Sequence, residues 1–526
     1  VDLGGDATGS WLVQLRIAGT PIGQVESAGV PVAAIGESLA RSITSAHADR
    51  ALRLAVAAWI TGAPRAAAFT VDRAFGLVLE MVQERAQEQA QSLTGLTIAL
   101  CSRDRPEQLS RALSAIAPNL RPCDELLVVL NATERDAASS IDQRHFPRAR
   151  FVVEPRPGLG WARNRALVEY RSDVILFTDD DCIPDAAWLD AHRSLFARNP
   201  DIDVATGLIE PLVLETPAQR LFEQYGGFAR HYLRRWIHAP HTASIASAVG
   251  NVGEYGAGAN LAFRRRLVDR IGAFDVALGP GTASGAGDDL EFLFRSLKHG
   301  GLLAIEPRAV VRHEHRRTMP DLESQIEGWS RGFSCAIASA TRTFPEERHA
   351  YLLLRARIAA LYHARRAVFA PRVRRLALAE LSGLRGAARR YARARDEASE
   401  IARRIVSPAL DASSIGLRAA DAAGARRSAH TARHASGRAT EVTMELAEIH
   451  AAIVVGDDID AVSVSIPHEG RQPTVVSVPV RNGVVGHDRL IDAVIADAGS
   501  AIIRGDWQDA VRSTHRLLTD AARALT

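Results

Sequence analysis

The sequence predicts an α/β fold built on a parallel sheet with helices on both faces. Short apolar runs at 96–101, 125–130, 151–154 and 174–178 each have the length of a buried strand. Helical periodicity lies between them: Pro106 opens a segment with Leu109, Leu113 and Ile116 on one face, and 161–170 reads as helix. Polar clusters follow the strand ends or open helices, which is where open α/β sheets bind their ligands.

At 526 residues the chain is long enough for two to four domains. A hydrophobic share of 47% is that of an ordinary folded protein, and a net charge of only +3 argues against nucleic acid as a main partner. Cys101, Cys123, Cys182 and Cys335 form no CxxC pair, so neither a zinc site nor a disulfide framework is expected. No run of about 18 apolar residues and no leader-like segment stands out. The expectation is a cytoplasmic protein, with peripheral contact at the inner face of the membrane as its sharper variant.

The α/β core is expected over 94–318. Ahead of it, 1–92 reads as a small α/β unit: a hairpin of 11–17 and 22–26 around Ala18-Gly19-Thr20-Pro21, then helical patterns at 49–60 and 71–89. From 319 to 440 the chain turns rich in Ala, Arg and Leu, and a helical extension is expected. Its arginines, Arg365, Arg366, Arg372, Arg374, Arg375, Arg389 and Arg390 among them, fit a solvated helix bundle. The alternative is an interfacial helix pair on anionic lipid. From 441 to 526 a second small α/β unit follows, with strands at 442–449, 461–466 and 474–480 and helices near 489–503 and 506–525. Its Asn482-Gly483 turn loosely echoes the N-terminal hairpin.

Three clusters carry chemistry. Thr178-Asp179-Asp180-Asp181-Cys182 follows an apolar run, and three adjacent carboxylates repel unless a cation sits among them. A hard divalent ion, Mg2+ or Mn2+, suits such oxygen donors. In an extended segment Asp179 and Asp181 share one side and Asp180 takes the other; the structural alternative is an acidic turn capping a helix at 186–196. The second cluster is Gly285-Ala-Gly-Asp288-Asp289-Leu-Glu291, where Leu290, Leu293, Phe294 and Leu297 define a helix face. Asp288 with Glu291 has the spacing of a capping box. Asp289, at a helix N-terminus, is kept ionised as a general base must be. The glycines of 279–287 suggest a mobile loop that admits substrate. The third is Glu306-Pro307 with His313-Glu314-His315-Arg316-Arg317 after an apolar run, where a neutral histidine is a candidate metal ligand or a surface-loop residue.

The order of these clusters, together with Thr97-Ile-Ala-Leu-Cys-Ser-Arg-Asp-Arg-Pro106, Gly160-Trp-Ala-Arg-Asn164 and Gly256-Ala-Gly-Ala-Asn260-Leu-Ala-Phe263, resembles the family 2 glycosyltransferases. The resemblance runs from Thr97 to Arg317. It implies a GT-A, Rossmann-like nucleotide-sugar-binding domain with an α-helical extension and small α/β terminal units. It implies an inverting, metal-dependent transfer from a nucleotide-diphosphate sugar to a hydroxyl acceptor: a glycan, a lipid-linked sugar or a small molecule, in cell-envelope glycan or secondary-metabolite synthesis. By the same resemblance Asp181 holds Mg2+ or Mn2+ with His313. Ser102, Arg103, Asp104, Asn131, Arg163, Asn164, Asp179 and Asp180 bind the donor, and Asp289 is the catalytic base.

One departure matters. The family usually carries Asp before the residue equivalent to Asn131, and Leu130 stands there, so a uridine donor does not follow. Trp329, Phe333 and Trp236 are candidates for stacking on an acceptor. A catalytically inactive sugar- or nucleotide-binding module is the competing expectation.

Overall fold

Val, Ile and Leu with little polar interruption leave a strand no solvated face, and the expected strands at 96–101, 125–130 and 174–178 are buried on both sides, whereas the one at 151–154 leaves Val153 exposed. The computed structural model describes residues 11–17, 19–27, 34–62, 71, 73–75, 77, 95–132, 143–228, 230–238, 251–405, 439–444, 452–456, 459–468, 471–498 and 507–524. The chain opens on an antiparallel hairpin, β1 (Trp11–Ile17) and β2 (Thr20–Ser27), followed by helices Ile35–Ser42 and Ser45–Gly62. The pattern expected at 71–89 falls mostly outside the described residues.

The central sheet has nine strands. They are β3 (Leu96–Ser102), β4 (Glu125–Asn131), β5 (Ala149–Glu154), β6 (Val174–Asp179), β7 (Cys182–Pro184), β8 (Val204–Pro211), β9 (Arg235–His238), β10 (Leu261–Arg264) and β11 (Leu302–His313). The order is β5-β4-β3-β6-β10-β8-β11-β7, with β9 also paired to β11. The half read from the sequence, β5-β4-β3-β6, is parallel. The other half is mixed: β10 runs antiparallel to β6 and β8, and β7 and β9 antiparallel to β11. Helix Pro106–Ile116 covers one face with Leu109, Ala112, Leu113 and Ile116, and helix Leu159–Glu169 covers the other with Ala162, Ala166 and Leu167.

The helical stretch after 318 is continuous with this core. Helix Met319–Thr343 sends Ile337 and Ala340 into the cluster that holds Phe263, Phe274 and Phe292. Helices Arg374–Gly383 and Ala387–Arg404 then stack on it through Leu376 and through Ala387, Tyr391 and Ala394. The arginines of Ala387–Arg404 turn outward, with Arg393 paired to Glu397 at 2.7 Å.

The two terminal segments share one core. Beyond 438 the described chain forms β12 (Ala439–Thr443), β13 (Ile453–Val454), β14 (Ala461–His468), β15 (Arg471–Pro479), β16 (Val484–Val485) and helices His487–Ala493 and Trp507–Arg523. Ala48, Leu52, Val56 and Ile60 of the N-terminal helix pack among Val462, Val464, Val476, Val478 and Leu490. Asn482 and Gly483 turn with φ of 51° and 68°, the left-handed pair that an Asn-Gly hairpin turn requires.

This joint unit docks on the nine-stranded core through buried ion pairs. Arg234 meets Glu306 at 2.6 Å and Asp492 at 3.3 Å, and Trp236 donates to Asp492 at 2.8 Å. Trp236 is thereby an interface residue, not a platform for acceptor. Asp203, fully buried, receives Arg266, Arg270 and, from the terminal unit, Arg481 at 3.0 Å. Burial works to raise the Asp203 pKa, but Arg481, Arg270 and Arg266 together hold it below the ordinary carboxylate value. A depressed folded pKa means stabilisation that is full above the unfolded value of about 3.9 and is lost as pH falls below it. Asp203→Asn strands three guanidinium groups, and the expected loss is about 3–5 kcal/mol by urea unfolding at pH 7. The gap between variant and wild type should narrow as pH drops below about 4; a gap that stays constant would show that the carboxylate charge is not what matters.

Candidate active site

Strand β6 ends on Asp179 and the chain turns at 180–181 before β7. The extended alternation expected of the three aspartates is therefore broken, and each carboxylate finds its own partner. Asp180 accepts from Ser102 Oγ at 2.6 Å and from Arg105 at 3.1 Å. Asp179 faces Arg163 at 3.5 Å. Strand β7 pairs antiparallel with β11, setting Cys182 opposite His313, and Glu314 N–H donates to the Asp181 carbonyl at 2.9 Å. That register brings the Asp181 carboxylate to 3.6 Å from His313 Nε2. The helix after the triplet begins at Trp188 with no side-chain cap, so the acidic turn is not a helix cap.

The second cluster divides its labour. Asp288 is buried and takes Arg163 at 2.5 Å, while Glu291 pairs with Arg295 at 2.8 Å. The capping box expected from their spacing is absent, and Gly287 is the N-cap. Asp289 is half-buried, and its oxygens accept the backbone N–H of Gly258 and of Leu290, each at 2.8 Å. Gly258 is required here, because a Cβ would lie 2.1 Å from Arg163 Nη2. The glycines before Asp288 also serve close packing: a Cβ on Gly287, at φ 93°, would sit 2.5 Å from the Gly332 carbonyl.

Burial raises the pKa of every carboxylate in the triplet. Asp179 is lifted to about 7 by burial and by Asp181 and Asp180, against the pull of Arg163. Asp180 and Asp181 are raised by burial despite Arg105. Burial, His315 and Arg316 push His313 down to about 3, so its imidazole is neutral at pH 7. A neutral imidazole and a carboxylate short of positive charge are the donor chemistry of a divalent-cation site. Among the described residues no three His, Cys, Asp or Glu side chains close on one point. The pair Asp181 and His313 fits an ion that completes its shell with diphosphate oxygens and water, as Mg2+ does.

These groups line one cavity of about 1160 Å3, together with Cys101, Arg103 and Asn131. Asn131 works through the backbone: its Oδ1 accepts Gly158 N–H at 3.0 Å and its Nδ2 donates to the Arg156 carbonyl at 2.7 Å. Leu130 is buried in the sheet. Two expected donor residues lie elsewhere. Asn164 is fully buried and clamps the Phe274 backbone, accepting its N–H at 2.9 Å and donating to its carbonyl at 3.0 Å. Asp104 is exposed beside Arg103 and outside the cavity lining. The structure adds Arg105 and Arg316, both on the cavity wall. Arg105 sat within the sequence motif, but nothing in the motif marks it over Arg103; only the turn at 180–181 brings it to two carboxylates. Phe222, Phe228 and Trp329 pack into an aromatic cluster on the cavity wall next to His313, and Phe333 lines the cavity too.

A parallel half-sheet ending in an acidic turn, joined to a mixed half-sheet, is a GT-A-like architecture. Residues 94–332 match the family model described as Glycosyltransferase like family 2. A pre-mycofactocin glycosyltransferase of Mycobacterium tuberculosis is 24% identical over 185 residues, 35% of this chain and 34% of that protein. The chain thus matches about a third of that relative's length. Among solved structures, a mannosyltransferase from Pyrobaculum calidifontis in complex with GDP-Man and Mn2+ is 17% identical with a TM-score of 0.35, covering 67% of this chain and 98% of that one. A glucosyl-3-phosphoglycerate synthase from Mycobacterium tuberculosis, in complex with Mn2+, UDP-Glc and phosphoglyceric acid, is 19% identical with a TM-score of 0.34, covering 48% and 82%.

Asn164 separates structural from binding roles. Asn164→Ala strands a buried N–H and a buried carbonyl, and should cost about 2–5 kcal/mol of stability. Nucleotide affinity of the folded variant, measured by calorimetry below its melting temperature, should stay within about twofold of wild type on that argument. A tenfold loss of affinity at full folding would return Asn164 to the donor site.

Proposed function

We propose that this domain transfers a sugar, with inversion, from a nucleotide-diphosphate sugar to an acceptor hydroxyl. The observation that carries the reading is the separation of Asp288 from Asp289. Asp288 absorbs the buried Arg163, which leaves Asp289 held by two backbone N–H groups and open to the cavity. A carboxylate oriented in that way is fitted to accept a proton from the attacking hydroxyl. The acceptor oxygen bonds to the anomeric carbon as the carbon–oxygen bond to the diphosphate breaks, and the electron pair leaves with the diphosphate. Attack opposite the leaving group in one displacement inverts the anomeric centre.

Ser102 and Arg103 border the nucleotide end, and Arg105 and Arg316 supply positive charge where the diphosphate would lie. Asp179 and Asp180, tied to Arg163 and to Ser102 and Arg105, shape the donor pocket. A divalent ion on Asp181 and His313 would offset the charge of the departing diphosphate. Trp329, Phe333 and Phe228 offer the acceptor an aromatic face.

A panel of UDP-, GDP- and dTDP-sugars with Mn2+ or Mg2+ tests the donor half. Slow release of nucleotide diphosphate is expected from wild type and none from Asp181→Ala. Asp289→Asn should keep nucleotide affinity and lose about 10^2–10^4-fold in transfer rate. No release and no nucleotide binding under any condition would favour the inactive binding module.

A further inference from the structure

We infer that the helical hairpin of residues 348–383 docks on the surface of an anionic lipid bilayer. The inference is independent of the transfer reading and assigns a partner to a part of the chain that the proposed transfer does not use. Helix Arg348–Arg357 runs through a wider π-helical stretch, Ile358–Ala364, into Arg365–Phe369, and helix Arg374–Gly383 returns alongside. Two contacts fix the return: Arg374 Nε donates to the Ala367 carbonyl at 3.0 Å, and Arg355 Nη2 donates to the Leu384 carbonyl at 2.5 Å.

The charge of this hairpin is one-sided. Residues 348–395 hold thirteen arginines and a single acidic residue, Glu380, in a chain whose net charge is only +3. Glu380 is turned inward, where it accepts from Tyr225 Oη and lines the cavity. Arg357, Arg365, Arg372, Arg385 and Arg389 are exposed, and among the described residues none of the five has a carboxylate within ion-pair distance. A helix that faces only water is commonly laced with i,i+4 pairs. The far half of helix Ala387–Arg404 follows that rule, with Arg393 on Glu397 and Arg404 on Glu400. The hairpin does not, and guanidinium groups gathered without counter-charges make a positive field that draws an anionic surface.

The same hairpin exposes aliphatic side chains. Of nine large hydrophobic residues exposed among the described residues, four fall on it: Leu353 at 70%, Val368 at 60%, Leu378 at 53% and Leu352 at 42%. A single exposed leucine is ordinary, but four on one hairpin mark an interaction surface. Arginines interleaved with aliphatic residues suit a membrane interface, where guanidinium heads reach lipid phosphates while their stems and the leucines enter the acyl boundary. A nucleic acid would meet the arginines but offer Leu353 and Val368 no apolar phase. So many arginines also keep the hairpin at the surface and out of the acyl core. Ile358 and Arg366 of the hairpin line the cavity, so a bilayer seated here lies against the helix that walls the candidate active site.

Co-sedimentation of the full chain with vesicles tests this, using phosphatidylcholine alone and equal parts of phosphatidylcholine and phosphatidylglycerol. Binding is expected only to the anionic vesicles and should weaken with added salt. Arg365→Glu with Arg372→Glu should lower the partition by about 30-fold or more, since each arginine at such a surface contributes about fivefold. Leu353→Ser with Val368→Ser, at unchanged charge, should lower it by roughly tenfold. Arg403→Glu with Arg404→Glu makes the same charge change beyond the hairpin and should leave the partition within about threefold of wild type. All six side chains are exposed, and melting followed by circular dichroism checks that each variant keeps its fold. No binding to anionic vesicles, equal binding to neutral ones, or an unchanged partition in either hairpin variant overturns the inference. So do equal losses in the Arg365 and Arg403 pairs, which would reduce the effect to net charge. Single-stranded RNA added at equal phosphate concentration should not strip the protein from the vesicles; complete release would make the hairpin a nucleic-acid surface and overturn the bilayer. None of these readouts depends on sugar transfer.

Discussion

The structure depends on how a crowd of buried carboxylates is kept apart. Asp179, Asp180, Asp181, Asp288 and Asp289 line one cavity, and burial pushes the first four toward the neutral form. Two arginines partition the crowd. Arg163 stands between Asp179 and Asp288, and Arg105 between Asp180 and Asp181. Arg163 carries the tighter constraint: it is buried, and only a glycine at 258 leaves it room. What remains after the pairing is chemistry. Asp289 keeps backbone donors and an open side, and Asp181 keeps a neutral imidazole as neighbour.

The rest of the fold holds that partition in place. The turn at 180–181 is pinned by the pairing of β7 with β11, which also sets where His313 stands. The loop before Asp288 is pressed against helix Met319–Thr343, so a helix outside the expected core region helps decide where Asp289 stands. The terminal unit sits on the other flank, anchored at Asp203 and Arg234, where charge is again buried only in pairs.

The strands and helices of the parallel half were legible because their signals are local. Apolar runs such as 126–130 and the Pro106 start need no tertiary information. The antiparallel insertion of β10 was not legible, since strand direction within a sheet depends on long connections. Motifs named these residues without naming the partner each one takes. Asn164 sits one residue from Arg163 on the same helix, yet points into the core and clamps the Phe274 backbone. Asp288 and Glu291 have the spacing of a cap, but Arg163 from another helix takes Asp288 and Arg295, one turn further along the same helix, takes Glu291.

By itself the sequence determined the strand–helix alternation, the acidic triplet at a strand end and the carboxylate pair opening a helix, because periodicity and charge repulsion act between near neighbours. Tertiary structure decided which carboxylate is left available, that the two chain ends share one core, and that Glu223 reaches His315 across 92 residues. Those outcomes turn on which buried charge finds which partner, and in a low-dielectric interior that is set by distance in space and not by separation along the chain.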